Sequence, residues 1–462
     1  MRISGFAFLF SIGVLFTVVT GYSQETSTPG SVYDVKAYGA VGDATTDDTA
    51  AIQRALDDAG AARGGIVWLP SGNYMVRGHL NIPSHVTLEG IWTAPPAWSA
   101  MAGSTLLAVE GRGDENGTPF ITLQPAATLK GVTIYYPEQK SDDIQPYPWC
   151  IAGIRDNPSI IDVMLINPYL GVDFGNTRHE AGGVGRFLIR NLYGQPLRKG
   201  IFIDGCLDVG RIENVHFWPF WQGAGYTREH GEAFIFGRTD WQYVLNTFCW
   251  GYKIGYKFVN VGQGPCNGNF VGIGADFAEY AVYAESASDL GVLITNGEFV
   301  SFGGKDSVEV VTTPDFIGTL QFQNSAFWGP AKMIARLDGK GTVTFDNCNF
   351  RHWGYIDTPQ FAIDCLGGNL IINSSHFFQS CPKVWLREGV RKAVITGNIG
   401  SGIEGILNES NGSVVIDSNA FDGIPDEGKN TVVVDNSMPW GASRTGAFEC
   451  SEGWGKEDRN DS

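Results

Sequence analysis

The sequence predicts an all-β solenoid, in which short, similar coils of chain stack along one axis. A phrase of Asn, one to three intervening residues and Phe returns through the chain. Its copies begin at Asn214, Asn296, Asn324, Asn347, Asn373 and Asn419. Looser copies end at Pro137, Pro168, Pro196 and Pro219. The prolines from Pro137 to Pro219 are 31, 28 and 23 residues apart, and the phenylalanines from Phe299 to Phe421 are 28, 23, 27 and 44 residues apart, where 44 equals two coils of 22. A sustained period in the twenties is typical of a solenoid.

The composition agrees with coils that are built from strands. After residue 62, helix-period patterns are almost absent, and the short apolar runs are rich in Val, Ile, Phe and Tyr, which favour pleated surfaces. The 61 glycines suit many tight corners, and the 43% of hydrophobic residues can fill a core. Because repeat arrays grow along one axis, the 462 residues are interpreted as one solenoid and not as several domains.

The chain before the regular coils divides into three predicted segments. Residues 1–23, with Arg2, an apolar stretch and a small-residue exit, have the parts of a secretory signal peptide, and residues 24–31 form a leader. Residues 32–90 form an N-terminal cap, in which an amphipathic helix over about 48–62 covers the open end of the solenoid. The signal peptide predicts a secreted or periplasmic protein.

The coils are expected to occupy residues 91–436 and to end in a polar C-terminal tail, residues 437–462. Along each strand, side chains alternate between the inside and the outside of the coil. In one of these strands, we expect Ile235 to point inward and Phe234 to line the outer face with Lys257.

Three motifs in residues 32–90 resemble the opening segment of the pectate-lyase-like superfamily. They are Asp-Val-Lys-Ala-Tyr-Gly-Ala-Val-Gly-Asp at 34–43, Asp-Asp-Thr at 47–49 and the Gly-Gly-x-Val-x-Leu-Pro-x-Gly-x-Tyr strand pair at 64–74. That superfamily includes the polygalacturonase and rhamnogalacturonase clan. The resemblance implies a right-handed, single-stranded parallel β-helix that acts on carbohydrate. The chain contains no Gly-His-Gly triplet, which polygalacturonases carry, and this indicates a divergent member.

The charge of the chain limits its partners. A formal net charge of −17 argues against nucleic acid, because phosphate contacts need clustered Lys and Arg. Between residues 178 and 257, however, ten basic residues outnumber seven acidic ones, so this stretch is expected to face an anionic ligand. After the signal peptide, the sequence has no apolar run long enough to span a bilayer, so no membrane partner is expected.

Eight cysteines are compatible with disulfides in an oxidising compartment. Cys249 with Cys266 and Cys348 with Cys365 are the best candidates for bridges, because each pair is one coil or less apart. Small buried fillers of the coils are the alternative interpretation of these side chains.

The longest insertion between strands, residues 218–240, is the predicted active site. It mixes aromatic, acidic and basic side chains, which together stack on a sugar face and bind its polar rim. Glycosidic hydrolysis needs two carboxyl groups that flank the bond, so Asp240 and Glu232 are the first choices. The full set of candidate catalytic residues is Asp240, Glu232, Asp204, Asp276 and His230. The candidate substrate-binding residues are Trp218, Trp221, Trp241, Arg228, Arg238 and Lys257.

We therefore expect a secreted glycoside hydrolase whose partner is an anionic polysaccharide, pectic or sulfated. A lyase is the second hypothesis, in which Lys257, Arg238, His230 or Tyr226 acts on the C5 proton of a uronate. A non-catalytic glycan-binding solenoid is the third. No metal and no cofactor are expected, because no dense run of acids supplies calcium ligands. Relatives with this opening segment include trimers, so a monomer and a homotrimer both stay open.

Overall fold

The computed structural model describes residues 31–93, 102–175, 183–219, 221, 223–302, 306–354, 360–402, 405–421 and 431–434. In these residues the chain forms two α-helices, α1 (Thr49–Ala61) and α2 (Gly225–His230), one short 3-10 turn (Val35–Tyr38), and 38 strands. The strands pair in parallel and the chain returns to the same face once in every coil. The predicted right-handed parallel β-helix with an N-terminal helix is confirmed.

The strands are numbered in chain order. The first are β1 (Val32–Asp34), β2 (Asp43–Asp47), β3 (Gly65–Leu69), β4 (Gly72–Val76), β5 (Leu80–Ile82), β6 (Val86–Gly90), β7 (Ser104–Ala108), β8 (Ile121–Leu123), β9 (Thr128–Lys130), β10 (Thr133–Tyr135), β11 (Trp149–Gly153) and β12 (Ser159–Leu165). The middle strands are β13 (Leu170–Phe174), β14 (Leu188–Gly194), β15 (Lys199–Ile203), β16 (Arg211–Phe217), β17 (Glu232–Phe236), β18 (Thr239–Trp250), β19 (Ile254–Phe258), β20 (Cys266–Val271), β21 (Gly274–Asp276), β22 (Tyr280–Ala284), β23 (Val292–Thr295), β24 (Glu298–Phe299) and β25 (Val308–Thr312). The last are β26 (Thr319–Gln323), β27 (Ala326–Ala331), β28 (Met333–Leu337), β29 (Thr342–Asp346), β30 (Asn349–Trp353), β31 (Ile363–Asn373), β32 (His376–Phe377), β33 (Val384–Thr396), β34 (Ile399–Gly400), β35 (Ile406–Asn408), β36 (Ser413–Asp417), β37 (Ala420–Phe421) and β38 (Thr431–Val434).

The pairings divide these strands among three sheets, which we number in the order that the chain visits them. Sheet 1 contains β1, β3, β6, β9, β12, β14, β16, β18, β20, β23, β26, β29, β31, β33, β36 and β38. Sheet 2 contains β2, β4, β7, β10, β12, β14, β16, β18, β21, β24, β27, β30, β32, β34 and β37. Sheet 3 contains β5, β8, β11, β13, β15, β17, β19, β22, β25, β28, β31, β33 and β35. Six long strands bend from one sheet into the next and therefore belong to two.

The Asn of the repeated phrase makes the sharp corner between sheets 1 and 2. Asn214, Asn246, Asn296, Asn324 and Asn347 all have a positive φ, between 50° and 55°. Asn enters this left-handed region more readily than most side chains do. The side chains also bond along the axis, since Nδ2 of Asn347 donates to Oδ1 of Asn324 at 2.7 Å. The repeated Asn therefore reports a backbone requirement of these coils, whereas Ser374 and Ser418 take the left-handed position near Asn373 and Asn419.

The Phe of the phrase points into the core from sheet 2. Phe299, Phe327, Phe350 and Phe377 are fully buried. Their ring centroids follow one another along the axis at 5.3, 5.6 and 4.7 Å. Such stacks add about 0.5–1.5 kcal/mol per pair beyond the burial of their area. This aromatic column holds neighbouring coils in register.

Helix α1 covers the N-terminal end of the solenoid, as predicted. Its buried face consists of Ala51, Ile52, Ala55, Leu56 and Ala59. That face contacts strands β1, β3, β5 and β6 of the first coils. Because β1, β3 and β6 are also the first strands of sheet 1, the predicted cap is continuous with the coils.

Several predicted segments lie outside the described residues. They are the signal peptide (1–23), most of the leader (24–31) and the C-terminal tail (437–462). The division of the remaining chain into a cap (32–90) and a β-helix (91–436) stays a prediction. Within the described ranges, the helices are too short or too polar to cross a membrane.

Two of the finer sequence predictions are wrong. Phe234 is buried and its ring lies 4.8 Å from that of Tyr256, so it points inward. Ile235 pairs in register with Lys257 and lies on the outer face, where it is nevertheless covered. In β17 four consecutive residues are buried and none of them is polar, so the sequence pattern does not distinguish the inner side of the strand from the outer side. The predicted alternation of side chains was therefore one residue out of phase.

The predicted disulfides are also wrong. Cys249, Cys266, Cys348 and Cys365 are free and buried. Members of each expected pair lie on different faces of the coil: Cys348 is at the corner between β29 and β30, whereas Cys365 is in the sheet 3 part of β31. These thiols act as small core fillers, and Cys381 is the described cysteine that is disulfide-bonded.

Candidate active site

Three charged side chains meet on the outer face of sheet 3. Glu232 is the first residue of β17, Lys257 lies one coil later in β19, and Glu285 follows β22 one further coil on. Nζ of Lys257 lies 3.0 Å from Oε1 of Glu232 and 3.4 Å from Oε1 of Glu285. Stacked coils therefore bring together charges that are far apart in the sequence.

The environment keeps this lysine positively charged. Burial alone would lower the pKa of Lys257, but the attraction of Glu232 and then of Glu285 outweighs it and raises the pKa. The side chain of Glu232 is only 13% exposed and that of Lys257 only 20%, whereas that of Glu285 is 42% exposed. Glu285 is thus the partner that a ligand carboxylate can most readily replace.

The insertion that leads into β17 adds further polar groups beside this pair. Nη1 of Arg198 donates to the carbonyl of His230 at 2.7 Å and lies 3.8 Å from Oε2 of Glu232. The rings of His230 and Tyr226, both in α2, have centroids 4.6 Å apart. Nε2 of His230 is 3.5 Å from Oε2 of Glu229. We call Arg198, Tyr226, His230, Glu232, Lys257 and Glu285 the sheet 3 cluster.

A buried tyrosine borders the cluster. Tyr169 is 8% exposed. Burial, followed by its hydrogen bond with Tyr226, raises the pKa of the Tyr169 phenol. A phenol held neutral in this way supplies a proton donor next to Arg198.

The predicted acids do not form the expected pair. Glu232 begins β17, whereas Asp240 lies beyond the end of that strand. Five strand residues span about 16 Å at roughly 3.3 Å each, so these two carboxyl groups cannot flank one glycosidic bond. Their individual roles stay predictions, but the arrangement expected for hydrolysis is not found.

Asp204 and Asp240 belong to a separate network at that far end. Nη2 of Arg238 lies 2.9 Å from Oδ1 of Asp240, and the backbone N–H of Arg238 donates to Oδ1 of Asp204 at 2.6 Å. Burial raises the pKa of Asp204 in spite of backbone hydrogen bonds from Arg238 and Gly205. This network fixes the corner after β17, and it is not continuous with the sheet 3 cluster.

Asp276 and Arg228 also lie apart from the sheet 3 cluster. Asp276 ends β21 in sheet 2, on a different face of the coil. The guanidinium of Arg228 lies 3.7 Å above the ring centroid of Phe277, and burial lowers its pKa. The expectation that all the candidate acids share one groove is therefore wrong.

The three tryptophans that were expected to bind substrate occupy three different environments. Trp221 is 7% exposed and packs with Met164, Ile166 and Leu197, so it is a core residue of the insertion and presents no free face. Trp218 stacks on Trp250 with centroids 5.6 Å apart. Trp241 is 64% exposed at the corner where β18 begins. No single aromatic platform joins them.

Sequence reasoning missed Arg198, Glu285 and Tyr169. A signal for the first two was present, because Arg198, Glu232, Lys257 and Glu285 follow one another at intervals close to one coil. Tyr169 carried no such signal, since its contact depends on how the insertion folds back. Within the described residues, no group of three or more His, Cys, Asp or Glu side chains is arranged to hold a metal ion.

Comparison with known proteins supports the parallel β-helix fold. The structure resembles that of the pre-mature bacteriophage phi29 gene product 12, with a TM-score of 0.56 over 86% of this chain and 57% of the phage protein, at 13% sequence identity. Residues 32–128 match the family described as rhamnogalacturonase A/epimerase, pectate lyase-like. The chain is thus a parallel β-helix protein whose residues 32–128 are similar to the pectate-lyase-like family, and the resemblance seen in residues 32–90 is confirmed.

Relatives of known activity match a short part of the chain. Mannuronan C5-epimerase AlgE1 of Azotobacter vinelandii is 61% identical over 65 residues, which are 13% of this chain and 5% of the epimerase. Alginate lyase 7 of the same organism is 61% identical over 46 residues, which are 10% of this chain and 5% of the lyase. These relatives are enzymes that modify polysaccharides, and the chain spans only a small fraction of their length.

Proposed function

We propose that the protein is a secreted enzyme that removes the C5 proton from a uronate residue of an anionic polysaccharide, as a lyase or an epimerase. The observation that carries this proposal is the charged Lys257 held on the outer face of sheet 3, beside Arg198, His230 and Tyr226. Epimerase and lyase activities in relatives of the N-terminal segment support the same chemistry.

Proton removal next to a carboxylate needs a cation, because the negative charge on the substrate grows as the proton leaves. Lys257 and Arg198 supply two cations, and a uronate carboxylate would replace Glu285 at Lys257. The raised pKa of Lys257 suits it to binding and excludes it as the neutral base at neutral pH. Lysine is therefore a carboxylate-binding residue in this proposal.

The base and the acid come from the insertion. His230, with 48% of its side chain exposed, is the candidate to take the C5 proton, and the Tyr226–Tyr169 pair is the candidate to give one. In elimination, the C5 electron pair forms a C4–C5 double bond, the C4–O bond breaks and the departing oxygen receives a proton. In epimerisation, a proton returns to C5 from the opposite face of the ring.

Hydrolysis ranks below this proposal for a geometric reason. Glu232 and Asp240 each hold an ion pair, with Lys257 and Arg238 respectively, and stand at opposite ends of β17. Retention or inversion at a glycosidic carbon requires carboxyl groups within about 10 Å of each other.

The test uses the full chain with polymannuronate, polyguluronate and polygalacturonate. Elimination is followed by the absorbance of unsaturated uronate near ~235 nm, and epimerisation by deuterium uptake at C5 in D2O, because both start with loss of the same proton. Lys257→Met should lower turnover at least about 100-fold. Lys130→Met removes a comparable lysine, which pairs with Glu89 at 2.7 Å on sheet 1, and should leave turnover unchanged.

Three outcomes would decide against the proposal: no product and no deuterium uptake with any polyuronate, shortened saturated products, or equal loss of turnover in the two lysine variants. Binding without turnover would support the glycan-binding solenoid in its place. Secretion, and assembly as a monomer or a homotrimer, are part of the proposal and are checked by fractionation of the producing cells and by light scattering of the purified chain.

A further inference from the structure

We propose that the outer face of sheet 2 carries a second carbohydrate site, which takes an uncharged sugar rich in hydroxyl groups. The site is a cavity of about 440 Å³ that follows three successive coils, on a different face of the coil from the sheet 3 cluster. This volume lies within the range of about 300–1,000 Å³ that is usual for small-ligand sites. Its lining includes Asn246, Phe248, Gly274, Asp276, Glu298 and Trp328.

The cavity is open because one residue on its floor, Gly274, has no side chain. Phe248, Gly274 and Glu298 occupy the same outward position on successive coils, because they pair in register. The missing side chain at Gly274 leaves a gap between a ring and a carboxyl group. A Cβ built on Gly274 would lie 3.0 Å from Cδ2 of Phe248 and 3.1 Å from the carbonyl oxygen of Glu298, so a larger residue would press on these neighbours and narrow the gap. We call this gap the sheet 2 groove.

Two carboxyl groups supply the polar side of the sheet 2 groove. Oδ1 of Asp276 is buried and has no hydrogen-bond partner among the described residues. Oε1 of Glu298 accepts a hydrogen bond from Nε1 of Trp328 at 3.2 Å, which orients both side chains. A buried acceptor without a partner costs free energy. A ligand hydroxyl that donates to Asp276 would remove this cost and thereby favour binding.

Aromatic rings form the apolar wall beside these acids. Trp250, which pairs in register with Asp276, stacks on Trp218 at 5.6 Å and on Phe277 at 4.7 Å. Trp328 is 39% exposed and lines the cavity itself. Rings next to hydrogen-bonding groups match the apolar faces and polar rim of a sugar.

The charge of the groove selects against uronates. Burial raises the pKa of Asp276, against a backbone hydrogen bond from Phe277, and the nearby charge of Glu298 raises it further. Among the described residues that line the cavity there is no Lys and no Arg, and the guanidinium of Arg228 lies outside this lining, over the ring of Phe277. A ligand carboxylate would therefore meet carboxyl groups without a cation to pair with, whereas hydroxyl groups can donate to them. The sheet 2 groove thus favours an uncharged sugar, whereas the substrate proposed for sheet 3 is anionic.

The experiment measures binding of β-1,4-linked hexasaccharides of mannose, glucose, galactose and xylose to the full chain by titration calorimetry, with hexamannuronate as the anionic comparison. We expect at least one neutral hexasaccharide to bind. Asp276→Ala and Trp328→Ala should each weaken that binding at least tenfold. Trp385→Ala is the matched control, because Nε1 of Trp385 donates to Oε2 of Glu409 at 2.8 Å on another face. It should leave the affinity unchanged.

Melting curves of the three variants establish that each is folded before affinities are compared. The proposal is overturned if none of the four neutral oligosaccharides binds. It is equally overturned if their binding survives both groove substitutions, or if hexamannuronate depends on Asp276 and Trp328 to the same degree. Turnover of polyuronates is measured separately, and its outcome does not bear on this site.

Discussion

Glu309 is the most unusual single residue of the core. It lies in β25, is fully buried, and neither carboxyl oxygen has a hydrogen-bond partner within the described part of the chain. Burial therefore raises the pKa of Glu309 well above that of an ordinary glutamate. The folded protein holds a proton at this site that the unfolded chain releases near pH ~4.3.

This proton makes the stability of the fold depend on pH. An acid whose pKa is raised on folding stabilises fully below its unfolded pKa, and the contribution is lost as the pH rises toward the folded value. We expect the free energy of unfolding to fall as the pH rises above the unfolded pKa, by up to ~1.4 kcal/mol per pH unit. Glu309→Gln should flatten this profile and be more stable than the parent at pH 8.

Denaturant titrations at four pH values measure the effect. Glu388→Gln, at an exposed position of β33, is the control and should keep the slope of the parent. Parallel profiles for the parent and Glu309→Gln would show that Glu309 is ionised in the fold.

At the residue scale, prediction from sequence succeeded where a backbone conformation or a core position favours one residue type. The Asn of the repeated phrase marks a left-handed corner, and the next Phe marks the core. It did not reveal that Asp240 and Glu232 stand at opposite ends of β17, because residues close in sequence are far apart when a strand separates them. The partners of Lys257 came instead from neighbouring coils, where the coil period was the usable signal.

The stack of phenylalanines is the element that most directly joins coil to coil in sheet 2. Phe327 touches Phe299 below and Phe350 above, with Phe322 and Phe345 at its edges. Phe327→Ala should lower the free energy of unfolding by about 3–5 kcal/mol, because a cavity is left in a rigid core. Phe378→Ala, at a position that is 43% exposed, should change it by less than about 1 kcal/mol.

Thermal melting followed by circular dichroism compares the two variants. If Phe327→Ala melts at the same temperature as the parent, then neighbouring side chains fill the cavity and the phenylalanine stack contributes nothing beyond filling space.

At the scale of elements, the period of the pattern predicted a stack of coils, but it did not reveal which side of a strand faces inward when both sides are covered. Strand β17 illustrates the limit, since Ile235 on its outer face is buried and as apolar as Phe234 and Phe236 on its inner face. Such burial of an outer face is a tertiary effect that a local pattern does not contain.

The whole molecule is a stack in which each strand pairs with strands of the neighbouring coils. Residues 319–341 form one coil, with β26, β27 and β28, and Thr319 pairs with Thr342 of the next coil. Removing 319–341 should place Thr342 in the position of Thr319 and leave a folded, shorter protein, because stability in such arrays depends on adjacent repeats. Removing 319–330 shifts the phase of all later strands and should prevent folding.

Circular dichroism and the cooperativity of melting distinguish the two deletions. If both deletions aggregate, or both fold, then contacts beyond neighbouring coils govern the architecture. The full-coil deletion also removes Trp328 and should therefore lose the binding proposed for the sheet 2 groove.

Helix α1, which lies across the first coil, affects how separate molecules associate. A stack of parallel strands is a template that can recruit another chain at a bare terminus and extend without limit, as in amyloid. With α1 seated on β1, β3, β5 and β6, that terminus offers a folded helix to its surroundings. We therefore expect that seeded fibre growth does not start from this end.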